Sequence, residues 1–153
     1  MMRKNIPGFT AVLLVLCLSL VQWARSQENV KYVGHEKCAP CHSDIHKSWL
    51  NTRHARAVDS LKKTGQEGLA GCVRCHVTGY EKNYGFMDYE LTPEMAGVQC
   101  EACHGPGEKH LTNPMGEKLA KDPGEDLCRV CHTTGQDPGF KYAEKARLSH
   151  VMK

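Results

Sequence analysis

The stretch Gly97-Val98-Gln99-Cys100-Glu101-Ala102-Cys103-His104-Gly105-Pro106-Gly107-Glu108-Lys109-His110 carries two histidines around a Gly-Pro-Gly turn. The first, His104, closes a C-x-x-C-H box. The same box occurs at Cys38-Ala39-Pro40-Cys41-His42, Cys72-Val73-Arg74-Cys75-His76 and Cys128-Arg129-Val130-Cys131-His132. Of the nine cysteines, Cys17 alone stands outside this pattern.

The spacing has a chemical reason. Two thiols three residues apart can add to the two vinyl groups of one haem, and the adjacent imidazole then reaches the iron from the same side. One box is a weak signal, whereas four that use every cysteine after Cys17 make a strong one. A disulfide framework suits an exported chain and zinc takes Cys and His, but neither requires a histidine directly after every second cysteine. The expected cofactors are four covalently bound haem c groups. Cys38, Cys41, Cys72, Cys75, Cys100, Cys103, Cys128 and Cys131 attach them, and His42, His76, His104 and His132 are proximal ligands.

The ends and the composition agree with this. Arg3 and Lys4 precede an apolar run from Ala11 to Val21, and Ala24-Arg25-Ser26 offers small residues before a cut at Gln27. Residues 1–26 read as a cleaved secretory signal peptide, with a retained anchor as the alternative, because the run is short for a membrane span. Residues 27–153 form one tetrahaem domain, expected in the periplasm, with no stable membrane insertion once the signal is removed. The signal holds three of the 20 basic residues and none of the 17 acidic ones, so the rest balances at 17 against 17. That balance removes the case for nucleic-acid binding. Four porphyrins in the mature chain leave roughly 32 residues each, so macrocycles, more than side chains, are expected to fill the interior. The fold expected is mainly α with long loops and little β, with one short hairpin near 79–90.

Five further histidines are available for the far side of each iron: His35, His46, His54, His110 and His150. Residues 43–65 read as one helix, capped by Ser43 and ended by Gly65, with His42, His46, Leu50 and His54 along one face. Such a helix rises about 18 Å from His42 to His54, which frees His54 for a different haem. His46 suits packing or a hydrogen bond, and His35 reads as a ligand or, preferably, an exposed loop residue. The Gly-Pro-Gly turn directs His110 to a neighbouring haem or leaves it a solvated loop residue. His150 lies at helical spacing with Phe140 and Ala143, as a ligand or a surface histidine. Met87 and Met95 are alternative sixth ligands. Tyr80, Tyr84, Phe86 and Tyr89 suit the covering of porphyrin faces, and Thr92-Pro93 reads as the start of a short helix.

The run W-x-x-T-x-H-A-x-A (49–57) and the run G-V-x-C-E-x-C-H-G-P-G (97–107), set in order among the boxes, resemble the cytochrome c-554 family over residues 33–132. The resemblance implies a tetrahaem electron carrier with three bis-histidine haems and a second haem open on its distal side. It implies that His110 is distal to haem 1 (His42), His54 to haem 4 (His132) and His150 to haem 3 (His104), with no distal histidine for haem 2 (His76). Electron transfer between redox partner proteins is the function this favours, by a monomer or by a subunit of a larger redox complex or haem wire. The rival is a redox enzyme acting on nitric oxide, nitrite or hydroxylamine at an open haem 2.

Overall fold

The computed structural model describes residues 30–150, and those from Lys31 onward belong to one compact unit. The signal-peptide reading of residues 1–26 lies outside the described residues. Within them the chain is helical, in short pieces: Ser43–Leu50, Ala57–Thr64, Ala70–Val73, Cys100–His104, Glu108–Thr112, Gly124–Arg129 and Tyr142–Lys145. Single 3-10 turns lie at His35–Lys37, Pro93–Met95 and Ala146–Leu148. An isolated helix needs about 12 residues or more to hold in water, so tertiary contacts must hold these. None is long and apolar enough to cross a membrane.

The helix expected over 43–65 is broken in two. Asn51 Nδ2 donates to the Lys47 carbonyl at 2.8 Å and Thr52 Oγ1 to the Trp49 carbonyl at 2.7 Å. The same hydroxyl accepts the Ala55 N–H at 3.3 Å. Short polar side chains here offer the backbone partners that compete with helical ones, and residues 51–56 turn. His54 therefore sits in the turn instead of on a straight face with His42 and His46. Ser43 does not cap the first helix, whose N-cap is His42. Gly65 does end the second, with φ +65° in the left-handed region.

The hairpin near 79–90 does not form. An isolated antiparallel bridge joins Val77 to Ala96, and the Phe86 N–H returns to the Thr78 carbonyl at 2.9 Å. Between them Gly79, Glu81 and Tyr84 take positive φ values, and a Cβ on Gly85 would run into the Gly79 carbonyl. The segment is curled on itself, which leaves no length for a ladder. Thr92 stands at the N-cap of the Pro93–Met95 turn as expected, but its hydroxyl accepts from the Met87 N–H at 2.8 Å.

The apolar core is small. Val58, Leu61, Val73, Val77, Phe86 and Met95 cluster beside the second box, with Tyr32, Tyr80 and Tyr89 packed on them. The largest fully buried side chains are polar: Thr78, Gln99 and Glu101. Thr78 Oγ1 donates to the Gly97 carbonyl at 2.8 Å and accepts the Gln99 N–H at 2.9 Å. Gln99 donates to the Glu94 and Ala96 carbonyls and accepts the His35 N–H at 2.8 Å. Buried polar atoms must be paired, and here the pairing fixes the loop that leads into the third box.

Gly97 is the tightest point of that loop. Its φ is +86°, and an added Cβ would lie 2.8 Å from the Ala55 carbonyl oxygen. Gly97→Ala combines left-handed strain with a backbone clash, and should cost about 1–3 kcal/mol. A lowered midpoint in chemical denaturation, with unchanged haem content, checks this.

Candidate haem sites

Each box is wound into about one helical turn. The His42 N–H donates to the Cys38 carbonyl at 3.0 Å and the His132 N–H to the Cys128 carbonyl at 2.9 Å. The third box is itself the helix Cys100–His104. One turn brings the first thiol, the second thiol and the imidazole to one side of the backbone. None of the eight cysteines is in a disulfide. Among the described residues no three His, Cys, Asp or Glu side chains converge as a metal cluster.

The histidines come together in twos. The ring centroids of His42 and His110 are 6.2 Å apart with planes at 27°. For His54 and His132 the separation is 6.0 Å at 57°, and for His104 and His150 it is 6.0 Å at 29°. These gaps are too wide for hydrogen bonds and too regular for incidental stacking. Two imidazoles on opposite sides of one metal, each nitrogen about 2 Å from it, have centres roughly 6 Å apart. The residues fit an iron between them. A cavity of about 520 Å³ lined by Cys41, His42, Asp44, Ile45 and Lys47 opens beside the first box.

The ring orientations are set from behind. The Nδ1 atoms of His76 and His110 donate to the carbonyls of Ala57 and Glu117, each at 2.6 Å, and that of His104 donates to Ala120. His132 Nδ1 donates to the Asp137 carboxylate at 2.9 Å. Each such bond places the proton on Nδ1 and leaves Nε2 free as a ligand. Burial, and then the neighbouring His132 ring, lowers the pKa of His54 below the ordinary value; burial and then His104 do the same to His150. Both favour the neutral form that can bind a metal.

His76 is different: among the described residues no second imidazole faces its ring. Met95 is buried in the apolar core and Met87 is 67% exposed. His35 is not an exposed loop residue. It starts a 3-10 turn, its Nδ1 is 2.8 Å from His46 Nε2, and both rings pack on Trp49. Trp49 in turn donates to the Val98 carbonyl at 2.9 Å.

The boxes also lie next to one another. Their thiols act on one another electrostatically: Cys38 is pushed up chiefly by Cys100, Cys131 by burial and then Cys75, and Cys103 by burial and then Cys128. The sequence reading missed Glu101. Its carboxylate accepts the N–H groups of Val33 at 3.0 Å, Gly34 at 2.8 Å and Gly107 at 2.6 Å. An acid inside a C-x-x-C-H box was the visible signal, but nothing local to it shows which backbone it meets.

Comparison with known proteins follows the boxes. The family described as cytochrome c554 and c-prime matches residues 37–105. Cytochrome c-554 of Nitrosomonas europaea is 30% identical over 141 residues, which cover 78% of this chain and 57% of that protein. The chain thus spans little more than half the length of that relative. The solved reduced state of cytochrome c554 from Nitrosomonas europaea superposes with a TM-score of 0.58 at 25% identity, covering 76% of this chain and 82% of the other. The multihaem cytochrome MtrA of Shewanella baltica is 30% identical over 80 residues, 43% of this chain and 24% of that one.

Glu101→Gln tests the buried carboxylate. The amide nitrogen would face donors, leaving at least one buried N–H unpaired, at a cost of about 1–3 kcal/mol. The expected result is a lower denaturation midpoint and faster amide exchange at Val33, Gly34 and Gly107.

Proposed function

Because this chain belongs to the cytochrome c-554 family, whose covalent cofactor is haem c, we propose that it carries four haems and passes electrons between redox partner proteins. The observation that carries the proposal is the trio of histidine pairs held near 6 Å. His42 and His110 would hold haem 1, His104 and His150 haem 3, and His132 and His54 haem 4. His76 would hold haem 2 from one side. The eight box cysteines would anchor the four vinyl pairs.

When bound, haem supplies a one-electron Fe(III)/Fe(II) exchange. The chain's part is to place the centres close together and set their potentials. The thiol neighbours give an order of adjacency: box 1 beside box 3, box 3 beside box 4, box 4 beside box 2. A route of that order lets an electron enter at the haem of box 1 and leave at that of box 2, or the reverse. The balanced charge of residues 27–153 gives no steering toward a strongly charged partner. C-type haem is attached outside the cytoplasm, so the apolar run after Arg3 and Lys4 supports export to the periplasm.

A second reading rests on His76. A haem held from one side would leave a coordination position for a small ligand such as nitric oxide, nitrite or hydroxylamine. The two readings share the same haem content and differ in what that position does.

The holoprotein should contain four irons per chain, with three low-spin haems and one high-spin haem in its paramagnetic resonance spectrum. His110→Ala should convert one low-spin haem to high spin while all four stay attached. Four low-spin signals, with a reduced spectrum unchanged by nitric oxide, would rule out the second reading. An unchanged spectrum for His110→Ala would overturn the assignment of haem 1.

A further inference from the structure

The supports behind the histidines are not equivalent. Those of His76, His104 and His110 are main-chain carbonyls, which are neutral. That of His132 is a carboxylate, Asp137 Oδ2, at 2.9 Å. The sequence builds this contact locally. After the fourth box, Thr133 starts a tight turn in which its carbonyl accepts the Gln136 N–H at 3.1 Å and the Asp137 N–H at 2.8 Å. The turn brings residue 137 back beside the imidazole five positions earlier, and the chain then runs through Pro138.

The other side of the ring is fixed as well. Phe140 is buried and stacks on His132 with centroids 4.4 Å apart and planes at 19°. Arg129 covers Phe140 at 4.8 Å and donates to its carbonyl at 3.1 Å, while Glu125 pairs with the guanidinium at 3.0 Å. The Arg129 charge is thereby matched by Glu125, so the Asp137 charge faces His132 without a counter-ion of its own among these residues. The ring is held by its face and by its Nδ1 edge at once.

We infer that Asp137 is a potential-setting residue, which lowers the reduction potential of the haem held by His132 and His54 relative to its bis-histidine neighbours. The inference rests on the ligand assignment proposed above. A carboxylate that accepts from Nδ1–H draws the proton toward itself and increases the negative character of the ring. Nε2 becomes a stronger donor, and the oxidised iron gains more from this than the reduced iron. A carbonyl acceptor does the same more weakly, because a charge-assisted hydrogen bond is about twice as strong as a neutral one. The couple is one-electron, the electron is supplied or taken by the redox partner protein, and no proton changes hands. His132 and Asp137 are 33% and 41% exposed, so salt screens the through-space part of the charge and leaves the hydrogen bond as the main effect.

The consequence is a step in the relay. With box 4 lying between boxes 3 and 2 in the order of adjacency, a lowered potential there places the least favoured resting position of the electron in the interior of the route. Electrons would pass through that centre without accumulating on it.

The test is a redox titration of the holoprotein, with the His54→Ala variant used to identify which low-spin signal belongs to this haem. Asp137→Asn keeps an oxygen that can accept from Nδ1 and removes the charge. The expected shift is about tenfold in the Fe(III)/Fe(II) equilibrium, about 59 mV upward for one electron. The low-spin spectrum should be retained. Glu125→Gln removes a nearby acid that does not touch the imidazole, and should leave that potential in place. An unmoved potential in Asp137→Asn would overturn the inference. An equal shift in Glu125→Gln would also overturn it, by tracing the effect to general charge. Conversion to high spin in Asp137→Asn would assign Asp137 to ring positioning instead. If His54→Ala changes no low-spin signal, the ligand assignment itself fails, which is a separate result.

Discussion

A single buried carboxylate joins the segment before the first box to the third box and to the turn that follows it. Glu101 lies inside the third box, between Cys100 and Cys103. Its oxygens hold the N–H groups of Val33 and Gly34 just before the first box, and of Gly107 in the turn that leads to His110. The segment before the first box is further tied at Lys31, whose N–H and ammonium both meet Glu108. These contacts bring the first box against the third, and so the His42 ring opposite His110. Without them, the Gly-Pro-Gly turn would have no reason to present His110 in one direction. Charge-assisted bonds to backbone donors are stronger than neutral ones, and each donor left unpaired would add a desolvation cost. One side chain therefore fixes both the orientation of a box and the position of the histidine that faces another.

The rest of the protein interior is thin by comparison. Among the described residues six apolar side chains cluster beside the second box, Trp49 and Phe140 are buried apart from it, and the most fully buried side chains are polar. Helices of four to eight residues cannot hold themselves in water. The space between paired histidines is then part of the architecture, since three pairs of rings stand near 6 Å apart. Thr78, Gln99 and Glu101 act as internal ties for loops that have no sheet and little helix to rest on. Such ties are directional, and they explain how a chain with long irregular segments can still hold imidazoles at matched separations.

The winding of each box was legible in the sequence because C-x-x-C-H spacing is a local property, set within one helical turn. The mainly helical class was legible for the same reason. The break at 51–56 was not, because Asn51 and Thr52 act through side-chain bonds to the backbone that helical periodicity does not register. The curl at 79–86 replaced a hairpin because positive φ at Glu81 and Tyr84, two residues not suited to it, turns the chain early. The partners of the box histidines came from resemblance more than from spacing, since nothing near His54 points to His132. Glu101 was invisible as a support because its partners before the first box are decided by tertiary contact, and Asp137 because no helical or strand periodicity marks the turn that returns it to His132. His35 was misjudged because its neighbours His46 and Trp49 meet it only once the first helix forms.

The pairings also constrain how the protein can assemble. His42 meets a residue beyond the third box, His54 meets the fourth box, and His104 meets His150 near the end of the described residues. Each pair joins segments distant in sequence, and contacts of that kind form slowly because loop closure comes first. A box at the start of the chain therefore has its thiols and histidine in place well before the histidine that faces it can arrive. The turn at 51–56 is suited to that delay. It carries His54 on a short segment tied locally by Thr52, with its carbonyl accepting from Val98 at 2.9 Å next to the third box. The third box thus positions the histidine that faces the fourth, and the same loop that turns at Gly97 serves both. The pairing of histidines in this chain is a consequence of cross-bracing between boxes, so a change in one box is expected to be felt first at the histidine pair of another.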